Sequence, residues 1–362
     1  MTRPALSVLT PTYNRAHVLH RAYDSLNRQN SRDFEWVVVD DGSTDDTPAL
    51  LARWQSEADF PITWLRYDNN RGQIPAVNEG RKLVKGEYTL KLDSDDALLD
   101  DAMDVIEEWR IKTGIDTKQD TCGLVFRCLD EFGRIVGKME NGEPHYPDET
   151  MIMSTREARY GFGMIFDKAH VQKTETLSLT RYGELDCSEN LPPSIGANRI
   201  SDYYKVIYID RPIRIYFRHY GGARLSDKPT KHVKTPRGNY LRALAVLNED
   251  IDWFWKRPKI FLNAGRKMTR MGLHIDRSPR QQFKDLSNGR ARLLWALGIV
   301  GGCTGYLRDR LRGRTAPAAA PDISAWGPAA LPENPVLHPP PGRLCKQEPQ
   351  AIADLQTTPR SE

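Results

Sequence analysis

The first hundred residues alternate between two hydrophobic periods. Short apolar runs predict strands at Leu6–Thr10, Trp36–Val39, Ile62–Tyr67 and Thr89–Leu92. Between and after them, apolar positions recur every three to four residues. That spacing predicts helices over Ala16–Gln29, with Val18, Leu19, Ala22 and Leu26 on one side, over Pro48–Ser56 from a start near Thr44, over Ala76–Val84 and over Ala102–Ile111. Such alternation implies an α/β fold, a mixed, mostly parallel sheet flanked by helices.

Past residue 100 the pattern loosens. Leu124–Leu129 and Arg134–Gly137 read as a strand pair turning at Asp130–Gly133, and Lys205–Ile209 and Ile213–Tyr216 as further strands of the same sheet, flanking Asp210-Arg211-Pro212. From Pro236 the periodicity is helical, with candidates at Tyr240–Leu247, Lys259–Met271, Gln281–Leu286 and Ala291–Val300. Residues 315–362 carry ten prolines and little periodicity, the signature of a disordered tail. The expected organisation is an α/β unit over 1–232, a helical extension over 233–314 and a Pro-rich tail over 315–362.

Chemistry concentrates where two strands end. Tyr88-Thr-Leu-Lys-Leu runs into Asp93-Ser94-Asp95-Asp96, and Glu35-Trp-Val-Val-Val runs into Asp40-Asp41-Gly42-Ser43-Thr44-Asp45. Carboxylates this close repel one another, and a divalent cation with hard oxygen ligands relieves them at low cost. Acidic triplets also occupy solvated turns and helix N-termini. Two acidic ends in one parallel sheet, however, face a single crevice, where open α/β sheets bind ligands.

The net charge of +4 hides an asymmetry. Residues Lys256 to Arg314 hold 15 Lys/Arg against 3 Asp/Glu, a surplus of 12, which leaves about −8 for the rest and implies an anionic partner for this part. Within it, Arg290 to Arg308 has an apolar centre between cationic ends. It is too short and glycine-rich for a membrane span, which needs about 20 apolar residues. Two readings stay open: an interfacial helix with Trp295 and Tyr306 at headgroup level, or a helix packed on the α/β unit. No nucleic-acid-reading motif accompanies the charge. Five cysteines without a C-x-x-C pair indicate neither a zinc site nor a disulfide framework. With no secretory apolar segment ahead of the first strand, the expected location is cytoplasmic, peripheral at the inner face of the plasma membrane on the interfacial reading.

Four strings in order, Thr10-Pro11-Thr12-Tyr13-Asn14-Arg15, Asp40-Asp41-Gly42-Ser43-Thr44-Asp45, Asn70-x-Gly72 with Asn78-x-Gly80, and Asp93-Ser94-Asp95-Asp96, resemble family 2 glycosyltransferases over about residues 4–110. The resemblance implies the GT-A nucleotide-diphospho-sugar transferase fold, with residues 1–232 as the catalytic domain. It implies inverting transfer of a sugar, most often from a UDP-sugar, to a hydroxyl of a glycan or lipid-linked acceptor in cell-surface polysaccharide synthesis. By position, Pro11, Tyr13 and Arg15 would touch the nucleoside, Asp41 would accept a hydrogen bond from the uracil ring, and Arg71 would lie by the base or diphosphate. Asp93 would contact the ribose or sugar. Asp95 would be the main ligand of Mg²⁺ or Mn²⁺, with Asp96 beside it and His219 reaching in from a loop; Arg218 and Arg224 are further candidates for the phosphates.

The acceptor proton needs a base. Relatives use a Glu-Asp pair about a hundred residues past the metal motif; here the corresponding stretch, Tyr182 to Ser194, lacks the pair. Glu189 is favoured, with Asp186 and Glu184 left open. Two other classes compete. A nucleotidyltransferase would show a Gly-rich, cationic loop after the first strand, where this chain has Pro11-Thr-Tyr-Asn-Arg. A non-catalytic nucleotide-sugar-binding or scaffolding protein would bind UDP without turnover.

Overall fold

In the computed structural model, residues 3–139, 142–180, 198, 200–217 and 235–314 are described. Their centre is a mixed sheet. Strands β1 (Leu6–Thr12), β2 (Phe34–Asp40), β3 (Ile62–Arg66) and β4 (Tyr88–Lys91) are joined by helices α1 (His20–Asn27), α2 (Thr47–Glu57) and α3 (Gln73–Leu83). After the short β5 (Ala97–Leu98) and α4 (Ala102–Thr113) come β6 (Thr121–Asp130), β7 (Thr150–Met153), β8 (Ala169–Lys173) and β9 (Lys205–Tyr216). The spatial order is β3-β2-β1-β4-β8-β6-β9-β5, with β7 on β9.

β1 pairs in parallel with β2 on one side and β4 on the other. The chain therefore leaves β1 in one direction and returns to its opposite side, creating a topological switch point at the carboxyl edge. Alternation sorts the core into two layers. Leu6, Val8, Trp36, Val38 and Leu90 face α1, α2 and α4, where Tyr23 stacks on Trp54 at 4.4 Å, while Leu9 and Val37 face Val77 of α3. β1 runs two residues past its expected end, through Pro11. Pairing with β4 stops at Leu9, and only β2 accompanies the strand further, so the missing N–H disrupts no ladder.

Two expectations are corrected on the far side. The stretches flanking Asp210-Arg211-Pro212 are a single strand, β9, whose register against β6 shifts around Phe126 and Arg127. Arg134–Gly137 forms no strand. One bridge, Leu129 to Ile135, follows a turn closed by Asp130, which accepts from the backbone N–H of Phe132 and Arg134.

Four helices follow: α5 (Pro236–Glu249), α6 (Pro258–His274), α7 (Pro279–Asp285) and α8 (Gly289–Leu311). Their apolar residues form a second core that includes Ile74 of α3 and Tyr160. Asp250, buried at the end of α5, anchors them: it accepts from Arg156 Nε at 2.6 Å, Tyr160 Oη at 2.6 Å and Asn198 Nδ2 at 2.7 Å.

α8 continues eleven residues past the expected Val300, through glycines that would each cost a free helix roughly 1 kcal/mol. Close packing offsets that cost. A Cβ on Gly298 would stand 2.5 Å from the backbone nitrogen of Arg266, and one on Gly302 would stand 2.4 Å from Thr269 Cβ, so α6 and α8 touch backbone to backbone. Gly298→Ala is expected to force them apart and destabilise the chain by ~1–3 kcal/mol, read as a lower urea midpoint at unchanged m-value. Asp309 locks the far end of this contact, accepting from Arg270 Nε at 2.6 Å and His274 Nε2 at 3.1 Å. Burial pushes its carboxyl up, but Arg270 and His274 overcome that and hold it below the ordinary value. A depressed carboxylate stabilises above its unfolded pKa and stops doing so as pH falls through the native one. Asp309→Asn should therefore lower the urea midpoint at neutral pH, and the gap to the parent should close in acid.

Candidate functional site

The carboxyl edge of the parallel strands is built as a rim of interlocked loops. Asn14, at φ 51°, takes Thr44 N–H on its side-chain oxygen at 2.8 Å and donates its own N–H to Ser43 Oγ at 2.8 Å. Ala16 N–H donates to Asp45 Oδ2 at 3.0 Å. The loop from Pro11 to Arg15 is thereby fixed against the loop after β2, with Pro11 buried and Tyr13 exposed.

Asp40 and Asp41 divide their work. Asp40 is fully buried and closes the turn by accepting Ser43 N–H at 3.0 Å. Asp41 points across to the next loop, where it accepts Arg71 N–H at 2.7 Å and Gly72 N–H at 2.8 Å. Burial pushes its carboxyl above the usual range, and those two N–H groups partly offset the rise. Gly42, directly after Asp41, is required twice over. Its φ is +77°, and a Cβ there would stand 2.7 Å from the carbonyl carbon of Asn69. Arg71 itself is exposed, its guanidinium 5.0 Å over the Tyr67 ring.

The second acidic end meets the first through one residue. Gln73, next to the Gly72 that Asp41 holds, donates to Asp93 Oδ1 at 3.4 Å. Asp41 and Asp93, on either side of the β1 terminus, are thus linked through the adjacent residues Gly72 and Gln73. Asp93 also pairs with Lys91 and lies 3.8 Å from Arg214 Nη1. Burial pushes its carboxyl up, but Lys91 and then Arg214 overcome this and lower it.

Asp95 and Asp96 separate in role. Asp96 is buried: Phe217 N–H donates to its Oδ1 at 3.2 Å, and Arg214 Nε stands 3.6 Å from Oδ2. Burial pushes its carboxyl up to about 8, against the Arg214 cation and helped by Asp93 and Asp95. Asp95 is half-buried, and only its backbone carbonyl is engaged, by Arg21 at 3.4 Å; among the described residues its carboxylate has no side-chain partner.

Arg214 and Lys91 are the site residues that motif reading missed. Arg214 arrives because β5 pairs antiparallel with β9, Leu98 opposite Arg214, which folds the acidic turn onto this strand. The signal was a cation inside the apolar alternation Ile213-Arg-Ile-Tyr, almost never buried unless paired. A cleft of about 450 Å³ opens beside Asp93 and Arg214, on the α3 side of β4, β6 and β8. Its lining is mostly apolar, with Arg81, Lys91, Arg159, Lys168, Arg214 and Arg242 set against Asp93 and Asp167; Asp41 and Asp95 stand outside it. His170 also lines it and is exposed.

Whether a cation fits is decided by the donors. Among the described residues no group of three or more His, Cys, Asp or Glu could hold a metal by itself. Asp95 nevertheless offers an uncommitted carboxylate, and hard cations of this kind are commonly held by one or two carboxylates plus substrate phosphates. Glu189, Asp186, Glu184, His219, Arg218 and Arg224 lie outside the described residues.

The sheet order and the acidic crevice place the chain in the GT-A class of folds. Residues 7–137 match the family model described as glycosyl transferase family 2. Among curated proteins it is 35% identical over 103 residues to the GalNAc(5)-diNAcBac-PP-undecaprenol beta-1,3-glucosyltransferase of Campylobacter jejuni, covering 28% of this chain and 33% of that one. It is 30% identical over 126 residues to the abequosyltransferase RfbV of Salmonella typhimurium, covering 33% and 38%. The match thus spans about a third of the length of these relatives. Among solved structures, S. aureus TarS 1–349 in complex with UDP-GlcNAc superposes with a TM-score of 0.56 at 19% identity, covering 85% of this chain and 92% of that one. At that identity the likeness is one of fold.

Proposed function

We propose that the protein transfers a sugar, with inversion, from a nucleotide-diphospho-sugar, a UDP-sugar by preference, to a hydroxyl of a lipid-linked or polysaccharide acceptor. One observation carries the reading: two acidic strand ends meet at the switch point, joined through Gly72 and Gln73. The named activities of the family 2 relatives, one of them on a diphospho-undecaprenol acceptor, support it.

In this reading the loop from Pro11 to Arg15 and Arg71 bind the nucleoside and diphosphate, on a rim held rigid by Asp41. Asp93, oriented by Lys91 and Gln73, faces the ribose or sugar. Asp95, with Asp96 and His219 as neighbouring candidates, would hold Mg²⁺ or Mn²⁺, which would supply positive charge to stabilise the departing diphosphate. Glu189, with Asp186 as the alternative, takes the acceptor proton. The surplus of cations lining the cleft beside Asp93 suits an acceptor that carries phosphate. The test is a panel of nucleotide sugars offered with diphospho-polyprenol glycans, reading nucleoside diphosphate release. One donor should be consumed with an acceptor-dependent rise; binding of UDP with no turnover for any pair would replace the transferase with a binding protein.

A further inference from the structure

The second face of α8 is unaccounted for by the packing described above. Its inner face, with Ala291, Leu294, Trp295, Gly298 and Gly302, is buried. Trp295 donates to Gln282 Oε1 at 3.1 Å, and Tyr306 packs edge-on against His274, so neither aromatic is an outward anchor. The opposite side carries Leu293, Leu297, Val300, Leu307 and Leu311, exposed by 63, 66, 74, 57 and 88%. Steps of four, three, seven and four residues keep these five on one line along the helix, about 27 Å long at 1.5 Å per residue.

Cations border that line on both sides. At about 100° per residue, Arg290, Arg308 and Arg312 fall to one side of it and Arg292 and Arg310 to the other. Arg308, Arg310 and Arg312 are exposed, and among the described residues no side chain pairs with them. The acids nearby are spent: Asp309 is buried with Arg270 and His274, and Asp285 pairs with Arg277. Arg290 pairs with Asp252 at 3.4 Å, which brings the loop carrying Trp255, 85% exposed, beside the start of α8.

We propose that α8 lies in the plane of an anionic lipid bilayer, with the Leu293–Leu311 stripe sunk among the acyl chains, the flanking arginines on lipid phosphates and Trp255 at headgroup level. An aliphatic line between two rows of cations matches the boundary between acyl chain and phosphate. A second copy docking face to face would bring like charges together. A nucleic acid would satisfy the arginines and leave five aliphatic side chains in water. No described helix is long and apolar enough to cross a membrane, and an in-plane helix needs no span. The inference does not rest on the transferase reading; where both hold, the crevice works next to lipid-linked acceptors.

The test is flotation of the full chain with vesicles of phosphatidylcholine alone or mixed with phosphatidylglycerol, at low and high salt. The chain should float with anionic vesicles, stay down with neutral ones, release as salt rises, and shift Trp fluorescence to the blue on binding. Leu297→Glu with Val300→Glu should abolish flotation. Arg308→Ser with Arg310→Ser and Arg312→Ser should weaken it roughly a hundredfold. All five positions are exposed, so an unchanged urea midpoint checks the fold. No flotation of the parent, flotation that survives Leu297→Glu with Val300→Glu, or a concentration-dependent dimer lost in that variant would each overturn the proposal. Salt-sensitive binding to duplex DNA with no binding to anionic vesicles would overturn it as well. These outcomes are read with neither sugar donor nor acceptor present and are therefore independent of sugar transfer.

Discussion

Asp95→Ala is expected to lower sugar transfer by about 10²–10³-fold while leaving the urea midpoint where it was. The two halves of that expectation come from one feature of the acidic turn. Asp93 is held by Lys91, Gln73 and Arg214, and Asp96 is buried against Arg214 and the Phe217 N–H, so both are part of the scaffold. Asp95 is half-buried with a carboxylate that no described side chain engages, so its removal breaks no contact among the described residues. What it removes is the group best placed to hold a cation against a diphosphate. Steady-state release of nucleoside diphosphate measures the first half, and denaturation the second. Transfer within a few-fold of the parent would show that Asp95 is not that group. A large fall in the urea midpoint would show that its loss acts through the fold.

The division among these three acids was only partly legible in the sequence. Alternation and strand-end acids were enough to place β1 to β4 and the acidic turns after β2 and β4, because a parallel sheet writes itself as repeated local units. The acidic turn could be read as a site, but which acid faces outward depends on Arg214, about 120 residues away, and on β5 pairing with β9. No local pattern encodes such a pairing. The same limit explains α8. Its glycines, read locally, end a helix; packed on Gly265, Arg266 and Thr269 they permit it. Trp295 and Tyr306, taken from composition as membrane anchors, point inward for that reason, and the aliphatic line behind them emerges only once the buried face is known.

Above about pH 8, where Asp96 is ionised, Arg214→Leu should be the most destabilising substitution at the site, costing ~3–5 kcal/mol, because it removes the shared counter-charge of two acids and leaves Asp96 buried without one. The cost comes from the stranded carboxylate more than from the lost ion pair. Asp96→Asn in the Arg214→Leu background should therefore restore more than half of the loss. A double-mutant cycle reads this as strong coupling between positions 214 and 96, far from the additivity of separate sites. Arg214→Lys keeps a cation but not the two-pronged reach to Asp93 and Asp96, so it should fall between parent and Arg214→Leu. Urea denaturation at pH 9 of five proteins, the parent, Arg214→Leu, Asp96→Asn, the double variant and Arg214→Lys, is sufficient. Additive losses, or an Arg214→Leu chain as stable as the parent, would mean that the acidic turn is held by the β5 pairing alone, and Arg214 would then have to be explained by the ligand that the crevice takes.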